Sequence, residues 1–90
     1  MAHYERDKDE LLRRLRKIEG QVRGLQRMIE DDRYCVDVLN QVAAVKAALG
    51  RVGLILLEGH TRGCVSRAIK EGEGDAAIKE LMEVVEKLAK

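Results

Sequence analysis

The sequence contains no proline, no tryptophan and no phenylalanine, and only two tyrosines among its 90 residues. Sheet proteins draw heavily on aromatic residues, so their near absence leaves helix as the expected state. No apolar run approaches the roughly 20 residues of a membrane span, and the charged beginning of the chain lacks the apolar core of a signal peptide. These absences predict a soluble, cytoplasmic protein. An excess of either charge is missing as well: 17 Lys and Arg stand against 16 Asp and Glu, for a net charge of +1. Nothing in that total demands a polyanionic partner, and any affinity for nucleic acid must rest on local distribution. Cysteine is scarce, with two residues, and in a reducing compartment both are expected to be free thiols suited to metal or redox chemistry.

What is present is 46% hydrophobic and 37% charged residues, arranged with helical period. From Leu11 the apolar positions run Leu11, Leu15, Ile18, Val22, Leu25 and Ile29, a stripe on one helical face. Asp31-Asp32 interrupts it, and Asp32 is placed to cap a second helix beginning near Arg33. The second stripe, Cys35, Val38, Val42, Val45, Leu49, Val52 and Leu56, continues without a breaker to Gly63 or beyond. Gly72 and Gly74 mark the next break, and Ile78, Leu81, Val85 and Leu88 make a short third helix. The expected fold is all-α, a single domain over residues 1–90 built as a three-helix protomer with a long second helix.

A chain of this size buries a modest fraction of its surface, and oligomerisation is a common way to finish the core. Three helices of such unequal length do not close into a bundle of equal members, so the long helix needs a partner. Near its middle lie Ala47, Ala48, Gly50 and Gly53, small residues that allow close helix approach at some cost in helix propensity. They are either ordinary core positions against the first helix or the crossing point of two copies of the second.

His60 and Cys64 are four apart, which on an α-helix places both side chains on one face roughly 6 Å apart, within reach of one ion. Cys35 on the same unbroken helix would lie roughly 37 Å from His60, too far to share that ion. Two copies of the helix set antiparallel about a two-fold axis near Leu49 bring Cys35 of one chain level with His60 and Cys64 of the other. Two thiolates and one imidazole suit copper(I), a soft ion tolerant of low coordination, and its binding would displace thiol protons. The plainer alternative makes both cysteines small buried hydrophobes and His60 a polar helix-end residue.

Basic residues cluster between Leu11 and Ile18, where Arg13, Arg14, Arg16 and Lys17 occur with no acid among them, whereas the stretch after Gly72 is richer in Asp and Glu. Arg23 extends the basic set. Gly20 and Gly24 sit inside a continuous stripe, so there is no helix-turn-helix signature. A basic face spanning several protomers would read phosphates and DNA shape, with steep salt dependence. The competing reading is a solvated face laced by pairs such as Glu10 with Arg14 and Glu19 with Arg23. No acid, base and nucleophile are grouped as an enzyme would need.

Four segments, RLRKIEGQVRG, YCVDVLNQVAAVKAAL, EGHTRGC and AAIKEL, resemble the CsoR/RcnR family, and within it the copper-sensing CsoR group. The resemblance covers nearly the whole chain. It implies a repressor that binds operator DNA without metal and is released by copper(I), derepressing copper-resistance genes. It implies ligation by Cys35 of one protomer with His60 and Cys64 of the other, in an antiparallel dimer that pairs into a dimer-of-dimers tetramer. It further implies that Tyr34 and Glu80 hydrogen-bond around His60, and that Arg14, Arg51 and Arg16 contact DNA. Arg13 and Lys17 join that set from the charge pattern. His3 resembles an extra ligand recruited by nickel and cobalt sensors of the family, which keeps a nickel or cobalt sensor as an alternative. A persulfide or thiol-redox sensor linking Cys35 and Cys64 is another, and a copper-buffering protein without an operator is a third.

Overall fold

The computed structural model describes residues 5–89, and His3 lies outside them. A short 3-10 helix at Glu5–Asp7 leads into α1 (Lys8–Glu30), then α2 (Cys35–His60), a π-helical turn (Thr61–Val65), α3 (Ser66–Lys70) and α4 (Gly74–Ala89). Among the described residues there is no strand, as a sequence so poor in sheet-forming aromatics predicts. No helix among them is long and apolar enough to cross a membrane. The chain divides into two compact units, one spanning Asp9–Val52, the other running from Gly53 onward and including the N-terminal segment that ends at Lys8.

In the first unit each apolar stripe splits into two lines of heptad spacing. On α1, Leu11 and Ile18 are buried and Leu25 is half-buried, whereas Leu15, Val22 and Ile29 are exposed. On α2, Val38 and Val45 are half-buried and Val52 is buried, while Cys35, Val42 and Leu49 are exposed. A strict seven-residue repeat on one side is the pattern of a helix prepared for a second helical partner.

The turn after α1 corrects the capping expected of Asp32. Asp32 has φ 53°, in the left-handed region. Its N–H bonds to the Ile29 carbonyl at 3.1 Å, and the Arg33 N–H reaches the Met28 carbonyl at 3.0 Å. This is a Schellman closure of α1 with Asp32 at the position where glycine is usual. Helix α2 starts two residues later than near Arg33, and the Tyr34 carbonyl accepts its first bonds, from the N–H groups of Asp37 at 3.0 Å and Val38 at 3.2 Å. The same closure ends α3. Gly72, at φ 83°, donates to the Ile69 carbonyl at 3.2 Å, and Glu73 donates to the Ala68 carbonyl at 2.7 Å.

In the second unit the π turn, α3 and α4 pack on one another around buried Val65. A Cβ on Gly53 would sit 3.5 Å from Leu88 Cδ2, and one on Gly74 would meet Ile69 Cγ1 at 2.9 Å. Gly74 is therefore fixed by the tight reversal from α3 into α4, where any side chain would displace Ile69. Gly53 faces Leu88 of the same chain, whereas a Cβ on Gly50 would meet nothing within 4 Å. The small residues thus divide between packing within the chain and a surface left uncovered.

Candidate metal centre and basic face

Cys35 is the first residue of α2 and His60 the last, so the unbroken helix on which the spacing argument depends is present. Cys35 is an exposed free thiol, and Cys64 is a half-buried free thiol. Cys64 does not stand on an α-helical turn with His60, contrary to the sequence expectation. It is the fourth residue of the π turn, where the Ser66 N–H reaches back to the Thr61 carbonyl five residues earlier. Two features of the sequence favour this widening. The Thr61 hydroxyl donates to the Leu57 carbonyl at 2.8 Å, a back-bond that bends helices, and Gly63 weakens the helical preference of the same turn. Inserted π turns occur frequently at functional sites.

His60 and Glu80 line one hollow of about 360 Å³, walled otherwise by apolar groups including Leu56, Leu57, Leu81 and Val84. His60 and Glu80 thus border the same hollow, with no hydrogen bond or ion pair between their side chains among the described residues. Tyr34 is 67% exposed just before Cys35. Among the described residues, no three His, Cys, Asp or Glu side chains of one chain converge as a metal site. The donor chemistry nevertheless fits a soft ion: two unpaired thiols and an imidazole, with the exposed Cys35 available to another molecule.

The basic residues are displayed outward. Arg13, Arg16, Lys17, Arg23 and Arg51 are exposed and Arg14 is half-buried. The helical pairs expected from spacing are present: Arg14 Nη2 lies 3.0 Å from Glu10 Oε1, and Arg23 Nη1 lies 3.5 Å from Glu19 Oε1. Such pairs are worth only a few tenths of a kcal/mol, so they tether the guanidinium groups without committing them. Arg14 and Lys17, with Ile18 and Gln21 of α1 and Ala48 of α2, border a smaller hollow of about 100 Å³. Gln21 had no place in the sequence reading, although its spacing of seven from Arg14 and four from Lys17 puts it on their face.

Residues 7–87 match the family model of metal-sensitive transcriptional repressors. The chain is 54% identical to the copper-sensing transcriptional repressor CsoR of Bacillus subtilis strain 168 over 85 residues, covering 94% of this chain and 84% of that protein. Its fold resembles the crystal structure of the copper-sensing repressor CsoR with Cu(I) from Geobacillus thermodenitrificans, with a TM-score of 0.89, 47% identity, and coverage of 100% of this chain and 94% of the other. It also resembles the nickel-responsive transcriptional regulator InrS, with a TM-score of 0.76, 40% identity, and coverage of 89% and 90%.

Proposed function

Because the chain belongs to the family of metal-sensitive transcriptional repressors, a family of regulators rather than enzymes, we propose that it is a cytoplasmic copper(I)-responsive repressor. It binds operator DNA in the metal-free state and releases it when copper(I) is bound. The observation that carries this reading is the uncovered line on α2. Exposed Cys35 begins it, exposed Val42, Leu49 and Leu56 continue it at heptad spacing, and His60 stands one turn beyond. Two copies of α2 packed antiparallel along that line cover the apolar residues and set each Cys35 beside the His60 end of the partner chain. The metal site is then Cys35 from one protomer with His60 and Cys64 from the other. The exposed Leu15, Val22 and Ile29 of α1 supply further apolar surface for pairing dimers into a tetramer.

Copper(I), when bound, supplies a cross-link between two chains through soft donors. The protein's own residues do the rest. Glu80 shares the His60 hollow and is placed to orient the imidazole, as groups around a metal ligand commonly do. Tyr34, adjoining Cys35, serves the same surroundings from the other chain. Arg14, Arg16 and Arg51, with Arg13 and Lys17, form the DNA face. Release requires only that copper favour a conformer with weaker DNA affinity, and by linkage DNA then weakens copper binding to the same degree.

Similarity to a repressor named for copper, in sequence and in structure, supports copper over nickel, since the nickel-responsive neighbour is the less similar of the two structures. His60→Ala tests the division of labour. The apo variant is expected to bind operator DNA as the wild type does, measured by fluorescence anisotropy, and to stay bound when copper(I) is added anaerobically. Loss of DNA binding by apo H60A would contradict it. A persulfide that releases DNA where copper(I) does not would favour the thiol-redox alternative.

A further inference from the structure

A second line of heptad spacing runs beside the one that begins at Cys35. It consists of Leu39, Lys46, Gly53 and His60, each four residues on from a member of the first. The two lines together advance along α2 in alternating steps of four and three, the seam of a two-stranded coiled coil. Leu39 is 62% exposed, the most exposed large apolar side chain of α2, and Lys46 is exposed as well. Counting inward from the two ends fixes the register of an antiparallel pair. With Cys35 of one chain opposite His60 of the other, Leu39 stands opposite Leu56 and Lys46 opposite Leu49. A charged residue so near the two-fold axis penalises other registers.

Leu56 is also a wall of the hollow that holds His60 and Glu80. Leu81 and Val84 of α4 stand among its other walls, and apart from His60 and Glu80 the lining is apolar. Its volume of about 360 Å³ exceeds the roughly 150 Å³ cavity that truncating one core leucine can leave. An apolar space of this size has room for a leucine side chain, and a chain with so few buried residues has a core still to complete. Leu39 cannot fill it from within its own chain, because it lies 17 residues from Leu56 on one unbroken helix, roughly 25 Å away. We infer that the hollow is the seat of Leu39 from a second copy, which enters between Leu56 and Val84. The inference rests on the antiparallel pairing proposed above and names the side chain that this pairing inserts. Each chain of the dimer then gives one leucine and receives one, as a two-fold interface requires.

The test uses the metal-free full chain, with dimerisation read by dilution sedimentation. Leu39→Ala is expected to weaken dimerisation more than about a hundredfold, since the dimer holds the contact twice and truncating a packed leucine is costly. Val84→Phe fills the hollow from its α4 wall and should weaken dimerisation too. The double variant should lose far less than the product of the two single losses, because alanine at position 39 vacates the space that the ring needs. An unchanged dimer in L39A, or losses that simply multiply in the double variant, would overturn the inference. Should these variants fail to fold, cross-linking serves. In a Cys35→Ser/Cys64→Ser background, L39C/L56C treated with diamide should form a covalent dimer, whereas L39C alone should not, its two copies standing roughly 25 Å apart along the seam. Cross-linking of L39C alone, or none in the pair, would overturn the inference. If the pair does not cross-link while mixed Cys35→Ser and Cys64→Ser chains still recover copper(I) binding, the seat of Leu39 is wrong and the shared metal site stands. Failure of both removes the antiparallel pairing itself.

Discussion

At the scale of single residues, the placements that matter most are those where a side chain or a backbone angle is used against its ordinary preference. Asp32 holds φ 53° at the end of α1 and Gly72 holds φ 83° at the end of α3, the same closure with opposite suitability. A left-handed angle costs a non-glycine residue about 1–2 kcal/mol, partly offset by the smaller unfolded-state entropy it loses. Asp32→Gly should therefore stabilise the fold by about 0.5–1 kcal/mol and Gly72→Ala destabilise it by about 1 kcal/mol, both read from urea unfolding. Arg14 offers a residue-scale test of the DNA face. On the proposed DNA face its guanidinium would have to leave Glu10 to meet phosphate, and the carboxylate left behind would repel the duplex. Glu10→Gln should tighten apo DNA binding about threefold, matching the few tenths of a kcal/mol of an exposed helical pair plus the repulsion removed. Weaker binding in E10Q would mean that the pair positions Arg14.

Among the elements, α1, α2 and α4 are legible from apolar periodicity, because their stripes are long and nearly free of breakers. What periodicity does not separate is the two lines within each stripe. Leu11 and Leu15 read alike in sequence, yet one is buried and the other exposed, and only packing divides them. The π turn is hidden for another reason. His60 and Cys64 keep the spacing of an α-helix, and the widening depends on a Thr61 back-bond that many helical threonines also make without opening a turn. Asp32 reads in sequence as an N-cap because aspartate is a good one, and the competing left-handed position before Arg33 leaves no comparable mark. Two glycines of α2 carry the element-scale prediction. Gly53 has room for a Cβ at ordinary contact distance from Leu88, and nothing of the chain approaches Gly50. On helix propensity alone each change to alanine is worth up to about 1 kcal/mol. Gly53→Ala should realise much of that gain in thermal unfolding. If a second α2 crosses at Gly50 as proposed, Gly50→Ala should instead weaken dimerisation by about 1–3 kcal/mol in dilution sedimentation, because overpacking is costly.

For the whole molecule, only Leu11, Ile18, Val52 and Val65 are buried among the described apolar residues, too small a core for a lone chain of this size. Function and assembly therefore draw on the same surface. The exposed line of α2 is also the line on which Cys35 stands, and under the proposed reading a metal ligand at that position would couple ion binding to how two chains meet. The unbroken helix from Cys35 to His60 was legible in the sequence, and with it the distance that keeps these two residues of one chain from sharing an ion, because the length of a helix follows directly from its residue count. The hollow that His60 shares with Glu80 was not legible from spacing alone, since it depends on how α4 folds back after the Gly72 turn. The measurement that tests the shared site most directly is copper(I) binding by mixed subunits, using Cys35→Ser and Cys64→Ser chains refolded together and titrated against a chromophoric chelator. Neither variant alone can form the site. In a mixed dimer, however, one of the two sites combines the intact Cys35 of one chain with the intact His60 and Cys64 of the other. An equal, random mixture should therefore recover about a quarter of the wild-type copper capacity, whereas no recovery above that of the separate variants would contradict a site shared between chains.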